Sequence, residues 1–376
     1  GAERVFLAMA KAWPDSPILT TVFNPSTTYP EFADHDVRTS PLQRIPLLRR
    51  HFRAGLPLYP WAFRRMGPVD ADVVVSSSTS FAHGIRSRGC HIAYTHSPPR
   101  WLWEAEGYSA RAARSRLARP LFAWLRLRDH EATSEPHLIL ANSRFTAGKI
   151  HDIYGRWPDV LPPPVRARPA ADGVDDYFLV ISRLLPYKRI DIAIAAAGEL
   201  GARLVVVGKG PEGPRLRAMA GPGVEFREHV PDDELDRLYA RCIALVMPGK
   251  EDLGLVPIEA NSAGRPAVCW ARGGALETVV PGRTGILVED PSASALAEGM
   301  ASARRRAWDT AVLRAHAGLW SEEAFVSRLR RLVEDFPGWC RRCGGTGLGP
   351  DPLRSLLERH GQGHLVLPEP AEGRAT

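Results

Sequence analysis

The sequence predicts an α/β protein of two domains, each organised on a parallel sheet, and three observations carry that prediction. From Tyr177 onward, short apolar runs alternate with helical patterns through residue 305, and such alternation builds a parallel sheet with helices on both faces. Leu161-Pro162-Pro163-Pro164-Val165 leads into small residues ending at Gly173, a stiff, proline-rich boundary. A chain of 376 residues with 44% apolar content has enough for two cores.

The elements of the first domain follow in order. Residues 1–10 read as a helix that begins at once behind Gly1. Ile18-Leu19-Thr20-Thr21-Val22-Phe23 reads as a strand stopped by Asn24-Pro25, and Val37-Arg38-Thr39 as a shorter one. Residues 38–66 carry Arg44, Arg49, Arg50, Arg53, Arg64 and Arg65 among large apolar and aromatic side chains, with no acid. The prolines at 41, 46, 57 and 60 break this stretch into two short amphipathic pieces. Strands over 72–78 and 91–98 end in polar residues. Open α/β sheets bind ligands at the carboxyl ends of their strands, so Ser77, Ser78, His96 and Ser97 are expected at a binding edge. An arginine-rich helical stretch covers 109–134. A strand from His137 then gives way to a helix capped by Asn142 or Ser143.

In the second domain the predicted strands are 177–182, 203–208, 224–227, 243–247, 266–269 and 285–288. The helices between and after them are 190–199, 212–220, 232–240, 255–264, 274–279 and 293–305. A last helix covers 321–336, and the Pro/Glu/Gly-rich remainder reads as a flexible tail. The expected domains are therefore 1–165, 166–317, a C-terminal helix 318–336 and a tail 337–376.

The chain is organised around residues 247–262. After the apolar run ending at Val246 comes a loop with Pro248 and Gly249, and then Gly254-Leu255-Val256-Pro257 opens a helix. The first N–H groups of a helix have no intrahelical acceptor, so Gly254, Leu255 and Val256 offer a phosphate site. Glu251 and Glu259 bracket that start with seven residues between them. A carboxylate repels a phosphate but holds sugar hydroxyls beside it. The plain structural alternative is a capped surface helix with two solvated acids.

The span from Glu251 to Glu259 resembles the paired-glutamate signature of the family 4 (group 1) retaining glycosyltransferases. So do Val180-Ile181-Ser182-Arg183-Leu184-Leu185-Pro186-Tyr187-Lys188-Arg189, Val205-Val206-Val207-Gly208-Lys209-Gly210-Pro211-Glu212 and Gly273-Gly274-Ala275-Leu276-Glu277-Thr278-Val279. The resemblance implies two Rossmann-like domains facing across a cleft, the GT-B fold, with the final helix returning to the first domain. It implies that Arg183 and Lys188 hold the donor diphosphate, Glu259 the ribose hydroxyls, and Glu251 and His96 the transferred sugar. The nucleotide base would lie against Gly208 and Val230. In the family the opening helix follows a first strand and a Gly-rich turn against the cleft. The chain accordingly reads as beginning after that strand, with Gly1 on the donor side. No carboxylate nucleophile presents itself in the first domain, so the resemblance implies front-side departure and attack rather than two-carboxylate chemistry.

The expected donor is a nucleoside-diphosphate sugar, GDP-mannose favoured. His96-Ser97-Pro98, Asn142-Ser143-Arg144-Phe145 and Pro186-Tyr187-Lys188-Arg189 are similar to the mannosyltransferase-like branch that builds surface polysaccharide. No resident cofactor or metal is expected. Asp70-Ala71-Asp72 precedes a strand at the end away from the binding edge, and Cys340 and Cys343 have ligand spacing but no second pair. A net charge of +7 and a pI near 9.4 favour anionic partners. The acceptor is expected to be a glycan or a lipid-linked sugar, and residues 38–66 to bind an anionic leaflet reversibly. Nucleic acid is excluded for want of a reading motif. Five cysteines, sparse and odd in number, suit a reducing cytoplasm, so a cytoplasmic monomer, peripheral on the inner membrane face, is expected. Two rivals stand beside this reading: an inactive binding or scaffold protein, and a nucleotide-sugar epimerase on the same fold.

Overall fold

The structure is a computed structural model that describes residues 1–104 and 118–342. These residues divide into two compact units, one of Gly1–Pro163 with Phe325–Arg342, the other of Pro164–Ala324.

The first unit carries two parallel sheets. β1 (Ile18–Thr20) pairs with β2 (Val37–Thr39), and a four-stranded sheet has the order β3 (Val73–Ser78), β4 (Cys90–Thr95), β5 (Leu138–Ala141), β6 (Asp159–Val160). β4 and β5 are buried along their whole length, as central parallel strands must be. The helix Ala2–Ala12 supplies Val5, Ala8 and Met9 to the core over Ile92, Tyr94, Leu138 and Leu140. Residues 38–66 form more pieces than expected: a helix Pro46–Arg50, a 3-10 helix Phe52–Leu58 and a helix Tyr59–Met66. Pro46 and Pro60 sit in first turns, where a missing N–H costs nothing.

The second unit holds one six-stranded parallel sheet of order β12-β11-β10-β7-β8-β9, with β7 Phe178–Ile181, β8 Leu204–Val207, β9 Val224–Arg227, β10 Leu245–Met247, β11 Ala267–Trp270 and β12 Gly285–Val288. Successive strand residues face opposite ways. Phe178 and Val180 meet the helices Ile190–Leu200 and Ala293–Arg305; Leu179, Val205 and Val207 meet Asp232–Arg241 and Leu255–Ser262.

At the chain's end one helix was not read from the sequence and one expectation is corrected. Asp309 caps a helix Thr310–Gly318, its carboxylate accepting the N–H groups of Ala311 at 2.9 Å and Val312 at 3.3 Å. The last helix then runs Glu322–Arg342, past Pro337, where a tail was expected. The reason is the apolar stripe Phe325, Leu329, Leu332, Phe336, Cys340, spaced by three and four residues and buried throughout in the first unit's core. Burial of that stripe outweighs the loss of one backbone hydrogen bond at Pro337. The remainder of the expected tail, with Cys343, lies outside the described residues.

Candidate functional site

In the second unit's sheet β7 is the earliest strand, and the chain builds away from it on both sides, to β8 and β9 one way and β10 to β12 the other. The strand order therefore reverses between β7 and β10. That reversal opens a crevice at the carboxyl ends of the two strands, where ligands of open α/β sheets sit. Lys188 and Glu251 emerge from these two strands and meet there, the Lys188 Nζ ion-paired to Glu251 Oε1. Lys188 is buried and lies 5.0 Å from the Tyr187 ring centroid. Arg183, on the same loop, is exposed. Glu251 is fixed in turn by the next loop, its carbonyl accepting the Gly274 N–H at 2.9 Å.

Gly208 brings the loop after β8 into this group. Its φ of +135° lies outside the usual L-residue range, and a Cβ there would stand 1.9 Å from the Ser182 carbonyl oxygen. Only glycine lets the two loops close on each other. Beyond it Lys209 Nζ lies 3.3 Å from His229 Nε2, which brings the loop of Val230 alongside.

The helix Leu255–Ser262 starts behind Gly254 in a left-handed conformation, φ 79°. A Cβ on Gly254 would lie 3.7 Å from that of Glu251, so the helix start and the ion pair share one corner. The opening amides at Leu255 and Val256 have no preceding turn to bond to, and Pro257 carries no N–H. Amides and cations suit a phosphate, and carboxylates suit adjoining hydroxyls.

Glu259, in the second turn, is already engaged. Its Oε2 accepts the Tyr239 hydroxyl and lies 3.5 Å from Arg168 Nη2. Burial first, then the neighbouring carboxylate, raise the Tyr239 pKa well above that of a free tyrosine, so it remains a donor. Arg168 bonds Asp236 Oδ1 at 2.6 Å and stacks 5.0 Å from the Tyr239 centroid. Burial works against its charge, but Glu259, Asp236 and Tyr239 outweigh that and raise its pKa.

In the first unit three successive serines at the end of β3 each hold a histidine. Ser76 Oγ is 2.9 Å from His91 Nε2, Ser77 Oγ 2.9 Å from His96 Nε2, and Ser78 Oγ 3.0 Å from His83 Nδ1. Burial pushes His91 and His96 down to about 3, so both rings are neutral near pH 7. His96, just past β4, packs edge-on to Tyr94 at 5.0 Å, and its carbonyl accepts Asn142 Nδ2 at 2.8 Å. Asn142 is thereby spent on His96. The following helix is capped by Ser143, whose Oγ accepts the Thr146 N–H at 3.0 Å. Ser78, His83 and Asp129 have the residue types of a hydrolytic triad. However, all three are buried, Ser78 donates to the Ser80 carbonyl, and Asp129 serves Trp103 and Tyr154.

The second unit thus gathers Lys188, Glu251, Gly254, Leu255 and Val256 at one corner, brings Gly208 and Val230 to neighbouring loops, and leaves Arg183 exposed. Gly1 precedes the first helix, its carbonyl accepting the N–H groups of Arg4 and Val5. Sequence reasoning missed Arg168 and Tyr239. The alternation Arg166-Ala167-Arg168 just after the proline-rich boundary was the available signal.

Residues 164–306 match the family described as Glycosyl transferases group 1. A D-inositol 3-phosphate glycosyltransferase of Acidothermus cellulolyticus is 33% identical over 202 residues, 43% of this chain and 44% of that protein. A GDP-mannose-dependent alpha-(1-6)-phosphatidylinositol monomannoside mannosyltransferase of Mycolicibacterium smegmatis is 35% identical over 203 residues, 44% of this chain and 53% of the relative. The chain spans about half the length of the curated relatives it matches. Among solved structures, Anabaena HepE in complex with UDP has a TM-score of 0.64 at 16% identity, covering 89% of this chain and 96% of that one. Sucrose-phosphate synthase from Thermosynechococcus elongatus has the same TM-score at 19% identity, covering 89% and 92%. These likenesses show the fold, that of the GT-B glycosyltransferases.

Proposed function

We propose that this chain, a group 1 glycosyltransferase through residues 164–306, is a retaining enzyme that moves a sugar from a nucleoside-diphosphate sugar to a glycan or lipid-linked acceptor. The observation that carries the reading is the corner where Lys188, Glu251 and the start of the helix Leu255–Ser262 meet at the reversal of strand order.

In this reading the donor's C1–O bond to phosphate breaks and the departing phosphate oxygen keeps the electron pair. Lys188, Arg183 and the amides at Gly254, Leu255 and Val256 stabilise that charge as it grows. The acceptor hydroxyl oxygen bonds C1 on the same face, and its proton passes to the leaving phosphate oxygen. Glu251 holds the transferred sugar and Glu259 holds the ribose; a neutral His96, as the family resemblance implies, is the first unit's candidate sugar contact. No metal takes part in these steps. GDP-mannose is the favoured donor, supported by the named donor of the mycobacterial relatives.

The first unit's surface supports the acceptor side of this reading. Leu47, Phe52 and Trp61 are all at least half exposed, beside Arg49, Arg50, Arg53 and Arg65. Residues 23–25 with Gln43, Pro46, Arg49 and Arg50 also line a cavity of about 290 Å³. No carboxylate pairs with Arg49 or Arg50 among the described residues. Reversible binding to an anionic leaflet would bring a lipid-linked acceptor within reach. No helix among the described residues is long and apolar enough to cross a membrane.

The test is to incubate the protein with GDP-mannose and with UDP-glucose, with and without lipid extract, and to identify products and their anomeric configuration. Transfer with retention supports the reading. An inverted product, or an epimerised donor formed without acceptor, overturns it.

A further inference from the structure

Glu259 lies 14% exposed at its side chain, and Arg168 only 3%. Placing a carboxylate there costs free energy unless a cation goes into the interior with it. Arg168 is that cation, and its position is over-determined. Its backbone N–H donates to Ser262 Oγ at 2.8 Å, and Ser262 Oγ donates to the Glu259 carbonyl at 2.7 Å. Its guanidinium is held at one end by Asp236 and covered by the Tyr239 ring. Both Tyr239 and Arg168 address the same oxygen of Glu259, Oε2. Oε1 accepts no hydrogen bond among the described residues.

We propose that Arg168 and Tyr239 are positioning residues that clamp Oε2 of Glu259 and present Oε1 as a fixed acceptor to a vicinal diol, the ribose of the donor nucleotide. The assignment rests on the donor-site reading above. It adds that discrimination between ribose and deoxyribose is set by a residue near the start of the second unit, not by Glu259 alone. Arginine suits the task because its planar fork serves Asp236 and Glu259 at once, which a lysine ammonium does less well. Tyr239 adds a neutral donor that fixes the carboxylate plane without adding charge.

Calorimetric titration of UDP against 2′-deoxy-UDP, and of GDP against 2′-deoxy-GDP, reads the clamp directly. The wild type is expected to favour the ribonucleotide about tenfold, the scale of one hydrogen bond to a charged group. Glu259→Gln and Arg168→Met should both lose that preference, Tyr239→Phe should weaken it, and Arg168→Lys should restore part of it. A preference kept in Arg168→Met but lost in Glu259→Gln overturns the clamp and leaves the donor site standing. A preference kept in Glu259→Gln overturns both. Thermal melting decides the point without a ligand. Arg168→Met leaves Glu259 an unpaired, poorly solvated charge, so adding Glu259→Gln should raise its melting temperature. A further drop would overturn the pairing, even if no nucleotide binds the wild type.

Discussion

The two sheet edges of this protein handle polarity in opposite ways. In the second unit the edge groups are charged and paired: Lys188 with Glu251, Arg168 with Glu259. In the first unit three consecutive serines hold three imidazoles, and burial keeps two of these rings, His91 and His96, neutral near pH 7. The Lys188–Glu251 pair is poised for exchange, because an incoming anion can take the cation and leave the carboxylate to a hydroxyl, whereas Arg168 stays on Glu259 and fixes it. A neutral, hydrogen-bonded ring exchanges nothing and offers a fixed shape instead. One edge is therefore suited to meeting a highly charged ligand, the other to lying beside an uncharged one.

The largest test of that contrast falls on the charged side. Lys188→Ala should lower turnover about a hundredfold, the loss expected for one partner of a developing transition-state charge, with the fold intact by circular dichroism. Unchanged kcat would remove Lys188 from the diphosphate. Arg183→Ala should cost less, about tenfold, because this exposed side chain acts through water more than its buried neighbour. Equal losses in the two variants would mean that burial does not set their weight.

The neutral side is probed by acid. The native pKa of His91 lies at about 3 against an ordinary 6.5, so below 6.5 the unfolded chain binds a proton that the native one refuses. Stability from this group is therefore complete above pH 6.5 and is lost as pH falls towards 3, by about 1.4 kcal/mol per unit. His96 acts in the same direction. Asp129, raised by burial despite His83 and its hydroxyl and indole donors, acts in the opposite one at the acid end. Denaturant melts at pH 7 and pH 5 should differ, and His91→Gln should flatten the difference; equal slopes in the two proteins would refute the assignment. The smallest expected effect is that of EDTA: cations and helix amides supply the positive potential, so transfer should continue undiminished. A strict manganese requirement would reopen the role of Asp70 and Asp72.

How much of this was legible depended on range. Apart from the helix Thr310–Gly318, which was not read, the second unit's strands and helices fall within a residue or two of the boundaries read from the sequence. Parallel strands buried on both faces produce short apolar runs such as Leu204-Val205-Val206-Val207, which few other structures produce. The paired glutamates were legible for the same local reason. Arg168 was not, because its partners stand 68 and 91 residues away and nothing in its own neighbourhood announces them. Tyr239 lies within the helix read over 232–240, and nothing local sets it apart from its neighbours. The serine crest was read as polar, but its pairing with three histidines is a matter of register between β3 and β4. Pro337 was read as a stop because proline is a local signal and the stripe through Cys340 is a longer one.

That stripe bears on how the molecule is made. Phe325, Leu329, Leu332 and Phe336 close the core over β4 and β5, although they are translated after the whole of the second unit. As the chain leaves the ribosome, the first unit waits with an apolar sheet face uncovered while the second, complete by Ala324, can already close. Order of synthesis and order of completion are thus inverted. A polypeptide ending at Pro163 should aggregate or engage chaperones, whereas one spanning Pro164–Ala324 should be soluble and melt cooperatively. Supplying residues 322–342 as a separate peptide should rescue the first fragment.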